Sequence, residues 1–147
     1  MNPVNELKYI FGQIRKKMSA ISIGNILSSG LTMSQASTLI EIGTHRGLSL
    51  KELSSLIELD NSTVSRSVNQ LAEKGLVLRH TTPNDRRMVE IFLSDEGKLL
   101  FDKMRQTNEE QYEQLIRHIP AEKLNSFIES AALLLMALEQ SEAESEQ

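Results

Sequence analysis

The stretch Asp60-Asn-Ser-Thr-Val-Ser-Arg-Ser-Val-Asn-Gln-Leu-Ala-Glu-Lys-Gly75 decides the fold. It opens on residues whose short polar side chains cap helices and closes on a glycine placed to end one. With side chains advancing by about 100° per residue, Val64, Val68 and Leu71 fall on one narrow stripe. Ser62, Arg66, Asn69 and Glu73 fall opposite, with Thr63, Ser65 and Gln70 on the shoulders. A helix anchored by so thin an apolar stripe turns the rest of its surface outward.

The residues before this helix predict two more helices in quick succession. Thr32-Met-Ser-Gln35 has capping-box spacing and opens a helix through Leu39 and Ile42 to Arg46-Gly47. Ser49-Leu-Lys-Glu52 repeats the device and opens a short helix with Leu50, Leu53, Leu56 and Ile57 on one side. After Gly75, residues 76–80 and 88–93 alternate as a strand pair, with Thr82-Pro-Asn-Asp85 as the turn. Helix, helix, helix with an exposed polar face, then hairpin is the order of a winged helix-turn-helix. The fold class expected is therefore mainly α with a small antiparallel β-hairpin.

Longer helices flank this segment. Leu7, Ile10, Phe11, Ile14, Met18 and Ile21 recur every three or four residues within 5–27, opposite Lys8, Arg15, Lys16 and Lys17, which read as a wet helix face. Ser94-Asp-Glu-Gly97 caps a long helix that is apolar at Leu99, Leu100 and Met104 and polar on every side over 105–111. Pro120 starts a last helix expected to reach about Gln140. Its block 131–138 is apolar all round, which a single partner surface cannot bury, so a second copy of the chain is expected to cover it. Residues 139–147 are acidic and are expected to fray. The domain reading is 1–30 as an N-terminal dimerisation helix, 31–97 as the winged helix-turn-helix, and 98–147 completing the dimerisation region.

A helix that enters a major groove needs small hydroxyl residues at its first turn and long forked donors further in. Ser62, Thr63, Ser65, Arg66, Asn69 and Gln70 supply that set. Arg66 suits a guanine edge, and Asn69 or Gln70 an adenine edge. A hairpin beside such a helix reaches the adjacent minor groove, where an inserted arginine meets a strongly negative channel. Arg87 is read as that probe, Asp85 as its brace, and Arg86 as a phosphate contact.

Leu31-Thr32, Leu53, the segments 60–66 and 71–77, Arg79, Asp85-Arg-Arg87 and Leu93-Ser-Asp-Glu-Gly97 resemble the pattern of the MarR (multiple antibiotic resistance regulator) transcription factors. The resemblance runs over about 31–97. It implies a homodimer joined by its first and last helices, with one recognition helix per protomer in successive major grooves of double-stranded DNA. It also implies that Asp85 and Arg87 match the wing aspartate and minor-groove arginine. Many members release DNA when a small, often phenolic or anionic, effector enters the crevice between the dimer helices and the winged lobe.

Composition narrows the alternatives. The 147 residues include 39% hydrophobic and 24% charged residues, a globular balance. The net charge of −4 hides an asymmetry: residues 61–87 carry five Lys/Arg against two Asp/Glu, a net +3, while 99–147 carry four against ten, a net −6. Screening confines each patch to roughly 8 Å at physiological salt, so one face can approach a polyanion that the other repels. With no cysteine, thiol-based peroxide sensing, thiolate zinc sites and disulfides are excluded. His45, His80 and His118 lack close metal-ligand spacing, so a metal-responsive regulator is the weaker alternative and no metal site is assigned. No Gly-x-Ser-x-Gly, His-Glu-x-x-His or glycine-rich phosphate loop is present, so no enzyme activity and no cofactor are expected. A winged helix that binds protein would suit the acidic total but not the basic wing. The start lacks a secretion pattern, and the longest apolar run is far short of the about 20 residues a membrane span needs. A cytoplasmic location with no membrane partner is expected.

Overall fold

The computed structural model describes residues 2–45, 47–82 and 85–145, and all their side chains except those of Ile23, Thr82 and residues 85–88. The chain divides into two compact units, Met1–Thr107 and Asn108–Gln147.

The first unit begins with α1 (Pro3–Ser29). The Asn2 side chain accepts the Val4 N–H at 3.0 Å, Pro3 occupies the first turn, and Gly30 ends the helix in the left-handed region at φ 72°. Helix α2 (Met33–Thr44) carries the expected capping box: Thr32 Oγ1 accepts the Gln35 N–H at 3.3 Å, and Gln35 Oε1 accepts the Thr32 N–H at 3.1 Å. It stops at Thr44, short of the expected Arg46, because His45 is already extended. Arg46 itself lies outside the described residues.

Helix α3 (Leu50–Ile57) has the second capping box, between Ser49 and Glu52. The Ser49 N–H, and then its hydroxyl, hold the Glu52 carboxyl below its usual range. Leu53 is buried and Leu50 and Ile57 are packed against the core, but Leu56 is 45% exposed. Only the inner edge of the predicted face is therefore covered.

Helix α4 (Asn61–Glu73) ends as its glycine requires. Gly75 adopts φ 73°, the Leu76 N–H reaches Leu71 O at 2.9 Å, and the Gly75 N–H reaches Ala72 O at 2.9 Å. This is a Schellman stop, which satisfies carbonyls the helix would otherwise orphan. It also turns the chain directly into the hairpin.

Strands β1 (Val77–Thr82) and β2 (Asp85–Leu93) pair antiparallel, regularly from Val77 opposite Leu93 to Thr81 opposite Val89. Thr82 then pairs with Asp85, so residues 86–88 interrupt the register. Strand β2 begins three residues before the expected Met88, and Asp85 closes the ladder instead of belonging wholly to the turn. Leu48 adds a short bridge to the other edge of β2, exchanging two backbone hydrogen bonds with Ile91 at 2.8 and 3.3 Å. Ala36, Leu39, Leu53, Val64, Val68 and Leu71, none of them exposed, form the centre of the core beneath the sheet residues Val77, Ile91 and Leu93.

Helix α5 (Asp95–Arg117) starts in a tight junction with the end of α4. Ser94 donates from its N–H to Leu76 O at 3.0 Å and from its hydroxyl to Gly75 O at 2.6 Å, and the same hydroxyl accepts the Gly97 N–H at 3.0 Å. A Cβ on Gly97 would lie 2.0 Å from Leu76 O, so only glycine lets the helix approach. Leu100, Phe101 and Met104 pack on the core, whereas Leu99, expected on the apolar face, is 73% exposed.

In the second unit, α6 (Ala121–Ser145) has no buried residue. Phe127, Ile128, Leu133, Leu135, Met136 and Leu138 are all exposed. The acidic tail expected to fray is helical to Ser145, because Glu, Gln and Ala favour helix strongly enough to outweigh mutual repulsion of exposed charges. Among the described residues, no helix is long and apolar enough to cross a membrane.

Candidate nucleic-acid interface

Helix α4 is anchored as its sequence dictates. Val64, Val68 and Leu71 are fully buried, and Ser62, Arg66, Asn69 and Gln70 are exposed, with Thr63 and Ser65 half-buried at the edge. The apolar stripe is supplemented by Ser67, which is buried and meets Ser34 of α2 hydroxyl to hydroxyl at 2.5 Å. A buried serine is stable there because its partner replaces water. Periodicity of apolar residues alone could not reveal it.

The first turn of α4 is organised by Asp60. Its carboxylate accepts the Thr63 N–H at 2.8 Å and the Thr63 hydroxyl at 2.6 Å, and it also accepts the Ser62 hydroxyl. Ser62 first, then the Thr63 hydroxyl and N–H, hold the Asp60 carboxyl far below the usual carboxylate range. Ser62 and Thr63 thereby spend their protons on Asp60 and turn oxygen lone pairs outward. A hydroxyl in that state can accept a further hydrogen bond but has no proton left to donate.

Further along, the expected adenine readers are engaged at their carbonyl ends. Asn69 Oδ1 accepts a hydrogen bond from Arg79 of β1. Gln70 Oε1 accepts one from Gln35 Nε2 of α2 at 2.9 Å. Arg79 shares a strand face with buried Val77 two residues earlier, so period-two alternation carries its side chain back over α4. Asp60, Arg79 and Gln35 are thus parts of the surface that the sequence pattern of α4 does not disclose. The capping spacing of Asp60 and Gln35 was visible, but their contact with the outward face was not.

The wing residues Asp85, Arg86 and Arg87 lie on β2, Asp85 at the last pairing and the two arginines within the irregular step. Their side chains, and with them the bracing of Arg87 by Asp85, lie outside what is described. On the other side of the hairpin, the His80 ring meets the edge of Phe92 with centroids 5.4 Å apart. These two rings, with Ile42, Gly43, His45, Leu78, Leu93 and Lys98, line an open cavity of about 490 Å³. His45 is turned toward Glu41, with Nδ1 2.9 Å from the Glu41 carbonyl and 3.6 Å from its carboxylate. His118 lies in the second unit. Among the described residues, no group of three His, Cys, Asp or Glu is placed to hold a metal ion.

Two helices in short succession, the second polar outside and followed by a two-stranded wing, define a winged helix-turn-helix protein. The MarR family model matches residues 31–89, the segment that runs from just before α2 into β2. The transcriptional repressor MdtR of Bacillus subtilis is 26% identical over 98 residues, covering 67% of this chain and 61% of MdtR. The chain therefore spans about three-fifths of that relative's length. MepR, a transcription regulator of the Staphylococcus aureus multidrug efflux pump MepA, shares the fold with a TM-score of 0.79 at 21% identity, covering 89% of this chain and 97% of MepR. A MepR point mutant bound to an oligodeoxyribonucleotide superposes with a TM-score of 0.67 at 21% identity, over 90% of this chain and 97% of that one.

Proposed function

We propose that this protein is a sequence-specific DNA-binding transcriptional regulator, a repressor, that acts as a homodimer on a palindromic operator. Residues 31–97 form its DNA-binding part, and residues 1–30 and 98–147 its dimerisation parts. The observation that carries the reading is the sidedness of α4: Val64, Val68 and Leu71 are wholly buried while Arg66, Asn69 and Gln70 face solvent. A helix held so, one short helix after another and beside a basic wing, is built to be laid in a major groove. Ser62 and Thr63 meet base edges and Ser65 the backbone at its entry, Arg66 reads deeper, Arg86 contacts phosphate, and Arg87, braced by Asp85, enters the minor groove. The DNA-bound form of MepR and the repressor role in the name of MdtR support the same assignment.

The homodimer is supported by α6, where Leu133 is 68% exposed and no residue is buried. Apolar surface of that extent is unstable in water and is covered by a symmetric second copy. Twofold symmetry then demands an inverted repeat with half-sites about one helical turn, roughly 34 Å, apart. A small-molecule effector releases the DNA by favouring an arrangement of the two lobes that does not fit it. The cavity against the wing, with an aromatic wall and His45 and Lys98 in its lining, is of a size that suits such a ligand.

Selection from randomised duplexes, repeated with Arg66→Ala and Arg87→Ala, tests the reading. An inverted repeat enriched by the native chain and weakened by each change is expected. Failure to enrich any duplex, with retention of a protein from the same cells, would favour a protein-binding winged helix instead.

A further inference from the structure

The amide groups of Asn69 and Gln70 are fixed in orientation, and that orientation follows from hydrogen-bond logic alone. Arginine has donors and no acceptor, so the Asn69 atom that meets Arg79 must be its carbonyl oxygen. Gln35 is buried, and the capping box commits its Oε1 to the Thr32 N–H at 3.1 Å. The Gln35 atom that reaches Gln70, 2.9 Å away, must then be the NH2 nitrogen, and the Gln70 atom that receives it the carbonyl oxygen. Each exposed amide is held by its oxygen.

We propose that Arg79 and Gln35 are specificity-determining positioning residues that turn the Asn69 and Gln70 amides to present their NH2 groups rather than their oxygens, so that Asn69 and Gln70 read guanine rather than adenine. The inference rests on α4 being the DNA-reading helix. Two-pronged pairing with adenine needs an amide to offer its oxygen and its NH2 to the same base edge, the oxygen accepting from N6 and the NH2 donating to N7. Here a guanidinium stands at the oxygen of Asn69 and an NH2 at that of Gln70. Each oxygen keeps a second lone pair, but an adenine amino group brought to it would crowd the donor already there, and beside Arg79 would also meet a positive charge. Guanine presents O6 and N7, two acceptors, and meets the NH2 of Asn69 and the remaining N–H groups of Arg79 without conflict. The expectation drawn from residue types alone, that Asn69 or Gln70 pairs with adenine, is therefore reversed by their neighbours.

The test begins with the motif selected by the native chain. Asn69→Ala identifies the base pair that Asn69 reads, as the position where preference relaxes, and guanine is expected there. Affinities are then measured for duplexes with guanine or adenine at that position. The native protein is expected to prefer guanine by about tenfold, within the range a single base contact supplies. Arg79→Met, which frees the Asn69 oxygen, is expected to bring the ratio to one or invert it, and Arg79→Lys, which keeps a charged donor, to retain it. A parallel loss of guanine preference at the Gln70 position is expected for Gln35→Met.

A merely structural Arg79 would weaken binding to both duplexes equally. An unchanged guanine-to-adenine ratio in Arg79→Met would therefore overturn the inference while leaving α4 as the reading helix. Adenine at the Asn69 position in the native motif, or no relaxation in Asn69→Ala, would do the same. If the native chain enriches no motif, the DNA-reading assignment itself falls, and this inference with it.

Discussion

The junction where α4, the wing and α5 meet gives the account its sharpest mechanical test, through Gly97→Ala. The added Cβ would sit 2.0 Å from the Leu76 carbonyl oxygen, and contacts of this kind are essentially never below 3.0 Å, so backbone must part by about 1 Å. That same oxygen accepts the Ser94 N–H at 3.0 Å, and a withdrawal of that size breaks the bond. Overpacking costs about 1–3 kcal/mol, and the lost hydrogen bond about 1 kcal/mol more. Alanine's better helix propensity offsets up to about 1 kcal/mol. The net loss is about 1–4 kcal/mol, or roughly 2–16 °C in melting temperature for a chain of this size.

Thermal and urea unfolding followed by circular dichroism measure this directly. Ser94→Ala, which removes the hydroxyl joining Gly75 O to the Gly97 N–H, should destabilise the same joint. The double variant should lose less than the sum, because both changes loosen one contact. Because Leu76 leads into β1, Gly97→Ala should also weaken DNA binding at temperatures where the chain is still folded. A melting temperature within about 2 °C of the native one would refute the close approach of α5 to Leu76.

Three further outcomes are expected. Gly47→Ala should lower the urea midpoint by an amount equivalent to about 1–2 kcal/mol, because Gly47 has φ 80° and its Cβ would meet the Phe92 ring at 2.7 Å; an unchanged midpoint would contradict that geometry. The Asp60 carboxyl is depressed below its ordinary value of 3.8, so its stabilisation is complete above that value and is lost as pH falls below it. Between pH 5 and pH 2 the native chain should therefore lose stability more steeply than Asp60→Asn, and parallel profiles would remove Asp60 as the cap of α4. Arg86→Ala should flatten the dependence of log affinity on log salt by about 0.9 per lost phosphate contact, hence about 1.8 for a dimer, with little change in the preferred sequence. A changed sequence at constant slope would make Arg86 a base reader.

Much of the architecture was legible because its signals are local. The Thr32–Gln35 and Ser49–Glu52 capping boxes, the Asp60 cap and the Gly75 stop each satisfy orphaned backbone groups within a few residues, so spacing alone predicts them. What spacing could not predict is held together across elements. The Leu48–Ile91 bridge is a single residue pair with no alternation to announce it. The start of β2 at Asp85 depends on an irregular register that residue types do not encode. In the candidate interface, the stripe and the outward face of α4 were readable from a helical period, whereas the carbonyl-side bonds to Arg79 and Gln35 join residues ten and thirty-five positions apart. Those two contacts change which hydrogen-bonding groups the face presents without changing which residues lie on it.

Hydroxyl-radical footprinting of the native chain on its selected duplex, with Arg66→Ala alongside, measures the central claim most directly. Two protected patches on one face of the DNA, centred about one helical turn apart and both lost with Arg66→Ala, are the predicted result. A single patch, or an identical footprint from Arg66→Ala, would contradict a pair of α4 helices as the reading elements.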